Sequence, residues 1–167
     1  EEFEALGVPW ERRGARNDEY IEAMRALWKE PHAEFHGEFV DFGAVTCSPR
    51  PVNGDIPIIV GGDSDAAIAR AARIADGYFP GEGNIDRLKD LIARVKQACE
   101  SNGRDPEAIK INAIFGAQMA DPEAGVQEMK DAGVDRIMVP AFFFAGEGGL
   151  DRLSEFGEQV IPLAGKD

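Results

Sequence analysis

The residues with the clearest potential for chemistry form a glycine turn, Gly61-Gly62-Asp63-Ser64, directly after the apolar run Ile58-Ile59-Val60. A β-branched run without polar residues is typical of a strand that is covered on both faces. Two adjacent glycines permit a tight turn and let a ligand approach the bare backbone. Asp63 and Ser64 are candidate N-cap residues, so we expect a helix to begin after the turn.

That helix and a second strand complete the unit. Apolar residues after the turn recur at the helical period: Ala67, Ile68, Ala71, Ile74 and Ala75. Tyr78 to Pro80 is predicted to form the second strand. A helix N-terminus at the carboxyl end of a parallel strand offers unpaired N–H groups to an anion such as phosphate. The alternative is that Gly61-Gly62 is only a tight turn, and the spacing leaves both interpretations open.

The composition of the chain makes some classes of protein improbable. The chain has 167 residues with 18 basic and 31 acidic side chains, a net charge of -13, which argues against nucleic-acid or anionic-membrane partners. Cys47 and Cys99 lie outside any metal-ligand spacing and indicate free thiols in a reducing compartment. Neither a signal sequence nor an apolar run of about 20 residues is seen. We therefore expect a cytoplasmic protein.

Strands and helices alternate along the rest of the chain. We predict a single domain over residues 1–167, with a helix and an insertion over 1–55 and four βα units over 56–167. The predicted elements outside the central stretch are the helix Arg16–Lys29, a hairpin-like segment His32–Val45, the helix Ile85–Asn102 capped by Asn84, the strand Ile109–Phe115, a helix opened by Asp121-Pro122, the strand Arg136–Val139 and the helix Leu150–Val160.

This alternation implies parallel strands with right-handed crossovers. Two architectures fit it, a doubly wound open sheet and half of an eight-stranded barrel, since a whole barrel needs about 250 residues. In a half-barrel the helices cover one sheet face and leave the other bare. Such an apolar face would favour a homodimer, in which a second copy completes the barrel or packs against the sheet. The alternative is that the N-terminal segment, residues 1–51, folds back and caps this face.

A series of short motifs resembles one known family, the bacterial luciferase-like flavin or deazaflavin oxidoreductases. These motifs are Glu4–Pro9, Arg12–Arg16, Asp18–Tyr20, Leu27-Trp28, Phe35–Phe39, Pro49–Pro51, Ile56–Gly62, Ala71–Arg73 and Asp76-Gly77. Taken together and in this order the motifs are specific for the family, although no single motif is. The likeness spans most of the chain as far as Val139.

The resemblance implies an α/β fold that is the C-terminal half of a TIM barrel with a hairpin-like insertion. It implies a flavin- or deazaflavin-dependent oxidoreductase or monooxygenase that binds FMN or coenzyme F-420, with a slight preference for F-420, and a small-molecule substrate. The implied cofactor-binding residues are Gly61, Gly62, Asp63, Ser64, Phe79 and Pro80, and no catalytic residue or metal ligand is assigned. The alternatives are a non-catalytic half-barrel that binds or assembles, and an unrelated doubly wound binding domain.

Other residues have a functional and a structural interpretation. Asp63 and Asp65 place carboxylates beside the proposed phosphate site, where like charges oppose an anion. His32 and His36 lack a set of further ligands, so an exposed or lid position is expected rather than a metal site. The three phenylalanines of Phe142–Phe144 would either wall a planar cofactor or form core. Arg16 and Glu19 are expected to form a local, structural pair.

Overall fold

A computed structural model describes residues 2–164 of the chain. These residues belong to two compact units, Glu1–Pro57 and Ile58–Asp167, which we call the N-terminal unit and the sheet unit. No helix in the described part of the chain is both long enough and apolar enough to cross a bilayer.

The N-terminal unit contains two helices and a hairpin. Helix α1 spans Glu2–Ala5 and helix α2 spans Arg13–Lys29. Strand β1, Ala33–His36, pairs antiparallel with strand β2, Asp41–Val45, as the predicted hairpin requires. The long helix begins at Arg13 rather than Arg16, because Arg12 takes a left-handed conformation, with φ of 55°, and ends the preceding turn.

The turn of this hairpin is held by one side chain of α2. The Glu19 carboxylate accepts hydrogen bonds from the backbone N–H groups of Glu38, Phe39 and Val40 at 3.0, 2.6 and 2.7 Å. A side chain at Gly37 would collide with this carboxylate. The Arg16 guanidinium lies 4.5 Å from the centre of the Phe39 ring. Glu19 and Arg16 thus both fix the hairpin, which agrees with a structural role.

The sheet unit is built on four parallel strands in sequential order. They are β3 (Ile59–Gly61), β4 (Gly77–Phe79), β5 (Lys110–Ile114) and β6 (Arg136–Met138). A doubly wound sheet would reverse its strand order at a switch point. The sequential order therefore confirms the half-barrel prediction, and the described residues do not close into a barrel.

Helices follow each strand. They are α3 (Asp65–Ile74), α4 (Ile85–Ser101), α5 (Pro122–Asp131) and α6 (Gly149–Val160), with short 3-10 turns at Ala117–Ala120, Ala141–Phe144 and Ile161–Leu163. The predicted caps are present: Ser64 Oγ accepts the N–H of Ala67 at 3.3 Å, and Asn84 Oδ1 accepts those of Asp86 and Arg87.

Successive side chains of the strands point to opposite sides and define two sheet faces. Val60, Tyr78, Ile111 and Ala113 are buried against the helices. The opposite side, which we call the open sheet face, carries Ile59, Phe79, Ile114 and Met138. Ile59 and Met138 are 42% and 49% exposed. The helices thus cover one face only, as a half-barrel requires.

The first two strands lie one residue away from their predicted positions. Ile58 belongs to the preceding connection, since its N–H donates to Asp76 Oδ2 at 2.8 Å and its carbonyl accepts the N–H groups of Asp76 and Gly77. Gly61 instead pairs with Phe79. Both strands are therefore set by pairing between distant segments, and Gly61 closes the first strand rather than opening the turn.

Candidate functional site

The turn after β3 and the loop after β4 lie side by side at the carboxyl edge of the sheet. Gly61 is the register partner of Phe79, and the N–H of Gly62 donates to the Phe79 carbonyl at 3.2 Å. Asp63 Oδ1 accepts the N–H of Gly81 at 2.9 Å. All six residues of the predicted cofactor site are therefore neighbours. The Phe79 side chain is half-buried and that of Pro80 is buried.

The conformation of the turn depends on Gly62. Its φ of +110° is one that other residues rarely adopt, and a Cβ atom there would lie 3.2 Å from the Cβ of Ala67. The Tyr78 hydroxyl, which lies on the helix-covered side of the sheet, donates to the Gly62 carbonyl at 3.0 Å. Burial, and then the charge of Asp63, raise the pKa of Tyr78 to about 12. The hydroxyl therefore stays protonated and remains a donor.

The N-terminus of α3 opens beside this turn. A helix leaves its first N–H groups without intrahelical acceptors, and the Ser64 side chain takes up only that of Ala67. The N–H groups of Asp65 and Ala66 thus lack an acceptor within the helix, at the positive end of its dipole. Gly61, Gly62 and Ser64 are exposed, so an anion can approach the backbone here.

The N-terminus of α4 is less suited to an anion. Its first N–H groups bond to the Asn84 side chain, while Glu82 Oε1 accepts the N–H groups of Gly83 and Asn84 at 2.8 Å. These backbone hydrogen bonds, that from Asn84 foremost, lower the pKa of Glu82. A carboxylate thus already occupies this second helix start, which leaves the turn after β3 as the better anion site.

The two carboxylates that were expected to oppose an anion have different surroundings. Asp65 forms an ion pair with Arg94, which also lies 3.7 Å from Asp90. Asp63 accepts a hydrogen bond from the Gly81 amide. Asp65 is therefore paired, although it is exposed and shares Arg94 with Asp90, whereas Asp63 is a carboxylate directly beside the turn.

The phenylalanine run divides between the two roles considered for it. Phe144 packs on Phe156, with ring centres 5.6 Å apart, and Phe156 in turn contacts Phe115. Phe142 lies against Phe143 and is 70% exposed. Phe144 is thus half-buried against Phe156, and Phe142 is the member of the run that is open to a ligand or partner.

The histidines and cysteines form no obvious reaction centre. His36 Nδ1 lies 2.6 Å from Asp41 Oδ1, and this hydrogen bond raises the pKa of His36. Cys99 is buried and Cys47 half-buried, and both are free. Among residues 2–164, no group of three or more histidine, cysteine, aspartate or glutamate side chains is arranged to hold a metal ion.

A separate groove of about 730 Å³ lies in the N-terminal unit. Phe3, Val8, Pro9 and Trp10 provide its apolar lining, and its remaining lining residues are the three glutamates Glu2, Glu4 and Glu11. An anionic cofactor would meet like charges there, so this groove is a poorer candidate than the glycine turn.

Three contacts at the site were missed from the sequence. The position of Tyr78 was predictable, since it lies in the predicted second strand and alternation places its side chain on the opposite face from Phe79. Its partner was not. Its bond to Gly62, the Gly81 contact and the Arg94 ion pair join residues 16, 18 and 29 positions apart. The sequence carries no signal for these three partnerships.

The sequential parallel sheet, with helices on one face and the glycine turn at its carboxyl edge, defines this protein as part of a TIM barrel. Residues 1–161 match the luciferase-like monooxygenase family, and the chain belongs to that family. The resemblance noted in the sequence is thereby confirmed.

Curated relatives agree with this assignment. An uncharacterized protein of Mycobacterium tuberculosis is 43% identical over 140 residues, which cover 83% of this chain and 46% of that protein. The FMNH2-dependent dimethylsulfone monooxygenase of Pseudomonas putida is 32% identical over 127 residues, covering 74% of this chain and 35% of that enzyme. The chain thus spans less than half the length of these relatives.

Solved structures share the fold at low sequence identity. The coenzyme F-420-dependent tetrahydromethanopterin reductase of Methanopyrus kandleri gives a TM-score of 0.74 at 16% identity, covering 98% of this chain and 71% of that one. An F-420-dependent secondary alcohol dehydrogenase gives 0.70 at 14% identity, covering 92% and 62%. These similarities establish the fold as part of a luciferase-like barrel.

Proposed function

We propose that this chain is the cofactor-phosphate-binding half of a flavin- or deazaflavin-dependent oxidoreductase or monooxygenase of the luciferase-like family. The observation that carries the proposal is the open turn at Gly62, where the backbone is bare and the start of α3 keeps N–H groups without helical acceptors. Family membership supports an anionic cofactor at this edge.

The residues present fit the phosphate end of FMN or coenzyme F-420. Gly61 and Gly62 would let the phosphate approach the backbone, and the N–H groups of Asp63 and Ser64 would be its donors. Phe79 lies next to the turn on the open sheet face, where its side chain would contact the ring system of the cofactor. The buried Pro80 would support the Phe79 side chain. When bound, the cofactor supplies the hydride or electrons, and the protein supplies position and exclusion of water.

The proposal includes both cofactors, because one similar protein is described as dependent on FMNH2 and another on F-420. The Pseudomonas putida relative is FMNH2-dependent, and the Methanopyrus kandleri structure is F-420-dependent. The substrate is proposed to be a small organic molecule. Cytoplasmic localisation also stays a proposal.

We further propose that the chain works as a homodimer. Ile59 and Met138 are large apolar side chains that remain 42% and 49% exposed on the open sheet face. Exposed apolar surface of this kind favours association. A second copy that packs on this face would also shield the edge of the turn from water.

Binding titrations test the phosphate site. The protein is titrated with FMN, with coenzyme F-420 and with riboflavin, which lacks the phosphate, and each affinity is read from cofactor fluorescence. Gly62→Ala places a Cβ atom in a left-handed conformation and against Ala67. Gly133→Ala is the matched control, since Gly133 has φ of +82° but nothing within 4 Å of the added atom.

We expect Gly62→Ala to weaken FMN or F-420 binding at least tenfold, while Gly133→Ala binds as the native protein does. Equal binding by the two variants would reject the turn as the phosphate site. If the native protein binds neither cofactor, the result favours the non-catalytic half-barrel, for which the exposed sheet face is the supporting feature.

A further inference from the structure

The buried hydroxyl of Tyr78 has a geometry that extends the proposed site. Tyr78 lies in β4 between Val60 and Ile111, on the helix-covered side of the sheet. Its side chain is 0% exposed, and a buried tyrosine hydroxyl requires a hydrogen-bond partner. That partner is the Gly62 carbonyl, 3.0 Å away.

This hydrogen bond fixes the orientation of a whole peptide group. The carbonyl of Gly62 and the N–H of Asp63 belong to one trans peptide, in which the two groups point in opposite directions. Because the carbonyl points to Tyr78 beneath the turn, the N–H of Asp63 points away from the helix-covered layer. The N–H of Gly62 is already bound to the Phe79 carbonyl at 3.2 Å, so it is not the donor that an anion would use.

Rotation of the Gly62–Asp63 peptide changes ψ of Gly62 and φ of Asp63; glycine permits the first change, and aspartate is among the residues most often found at φ > 0. Rotation of the Gly62–Asp63 peptide would turn its carbonyl oxygen outward, where it would repel a phosphate. The raised pKa of Tyr78, about 12, means that the restraining donor keeps its proton at physiological pH.

We propose that Tyr78 is a positioning residue whose hydroxyl holds the Gly62–Asp63 peptide with the Asp63 N–H directed toward the cofactor phosphate. The inference rests on the proposed phosphate site and adds to it the donor and the group that orients it. Tyr78 touches neither cofactor nor substrate in this scheme, so its effect should be confined to the phosphate.

The variant Tyr78→Phe removes the hydroxyl and keeps the ring. Its matched control is Tyr20→Phe, since Tyr20 is a 40% exposed tyrosine of α2. The readout is the ratio of FMN affinity to riboflavin affinity. One hydrogen bond of this kind corresponds to roughly a twofold to tenfold change in affinity. We expect the ratio to fall by that factor in Tyr78→Phe, with riboflavin affinity unchanged, and to be unaltered in Tyr20→Phe.

Two NMR measurements separate this inference from the proposed function. In the cofactor-free protein, loss of the hydroxyl should shift the carbonyl ¹³C resonance of Gly62. In the native protein, FMN should move the amide resonance of Asp63. The second measurement does not depend on how Tyr78→Phe folds.

Each outcome has a defined meaning. A folded Tyr78→Phe protein with an unchanged FMN-to-riboflavin ratio overturns the inference, as does a native Asp63 amide that FMN leaves unmoved. If the native protein binds FMN and riboflavin equally, the proposed phosphate site itself fails. A shifted Gly62 carbonyl would then show that the peptide orientation still holds.

Discussion

Replacement of Glu19 by alanine is expected to destabilise the N-terminal unit. The carboxylate of this residue accepts the N–H groups of three successive residues in the hairpin turn, Glu38, Phe39 and Val40. Alanine leaves these donors without their partner. The hairpin should then detach from α2 before the rest of the unit unfolds.

The magnitude follows from the three hydrogen bonds. A hydrogen bond to a charged group contributes about 1.5–3 kcal/mol when it is shielded, and less where water can replace it. The bonds from Phe39 and Val40 are part-buried, whereas that from Glu38 is exposed. We therefore expect a loss of roughly 2–4 kcal/mol in the free energy of unfolding. Glu19→Gln, which keeps one acceptor oxygen without the charge, should lose about half as much.

Urea unfolding followed by tryptophan fluorescence measures this effect selectively. The two tryptophans of the chain, Trp10 and Trp28, both lie in the N-terminal unit. The fluorescence change therefore reports on that unit, whereas circular dichroism also reports on the helices of the sheet unit. Glu22→Ala is the control, because Glu22 is an exposed residue of the same helix.

The reasoning has a clear refutation. If Glu19→Ala unfolds within about 0.5 kcal/mol of the native protein, as an ordinary surface substitution would, the carboxylate does not hold the turn. The same conclusion follows if Glu22→Ala is equally destabilising, since the loss would then reflect the helix rather than the hairpin.

Three further predictions concern association, charge and pH. Met138→Asp should convert the proposed dimer to monomer in sedimentation equilibrium at micromolar concentration, because it places a charge on the open sheet face. Asp63→Asn keeps an acceptor for Gly81 but removes the negative charge, so FMN should bind roughly threefold to tenfold more tightly while riboflavin is unaffected. The hydrogen bond from His36 to Asp41 raises the pKa of His36 in the folded chain. Its stabilising contribution is therefore present below the unfolded pKa and lost as the pH rises through the folded one. Urea midpoints between about pH 5.5 and pH 8 should decline accordingly.

Each of these has a control and a contrary result. Val52→Asp alters a fully exposed apolar residue of the N-terminal unit and should leave any dimer intact; a native protein that sediments as a monomer disproves the association. Weaker FMN binding by Asp63→Asn would mean that the carboxylate contributes to binding. For His36, Asp41→Asn should abolish the decline, and an unchanged pH profile in that variant would exclude this pair as its source.

Local patterns in the sequence were sufficient to predict the elements of the sheet unit. The helix Ile85–Ser101 follows from its apolar spacing and from Asn84, whose cap is made within three residues. The alternation of strands and helices predicted parallel pairing, and the sheet is parallel and sequential. These predictions held because periodicity, capping and short connections are properties of neighbouring residues.

Only the tertiary structure decided which groups of the turn at Gly62 are bonded within the protein. Its own N–H is bound to Phe79, its carbonyl is bound to Tyr78, and Asp65 is paired with Arg94. Each of these contacts joins segments that the chain separates by a helix or more. Strand register and the packing of distant side chains decide which backbone groups remain free for a ligand. The local pattern that predicted the turn contains no information on either.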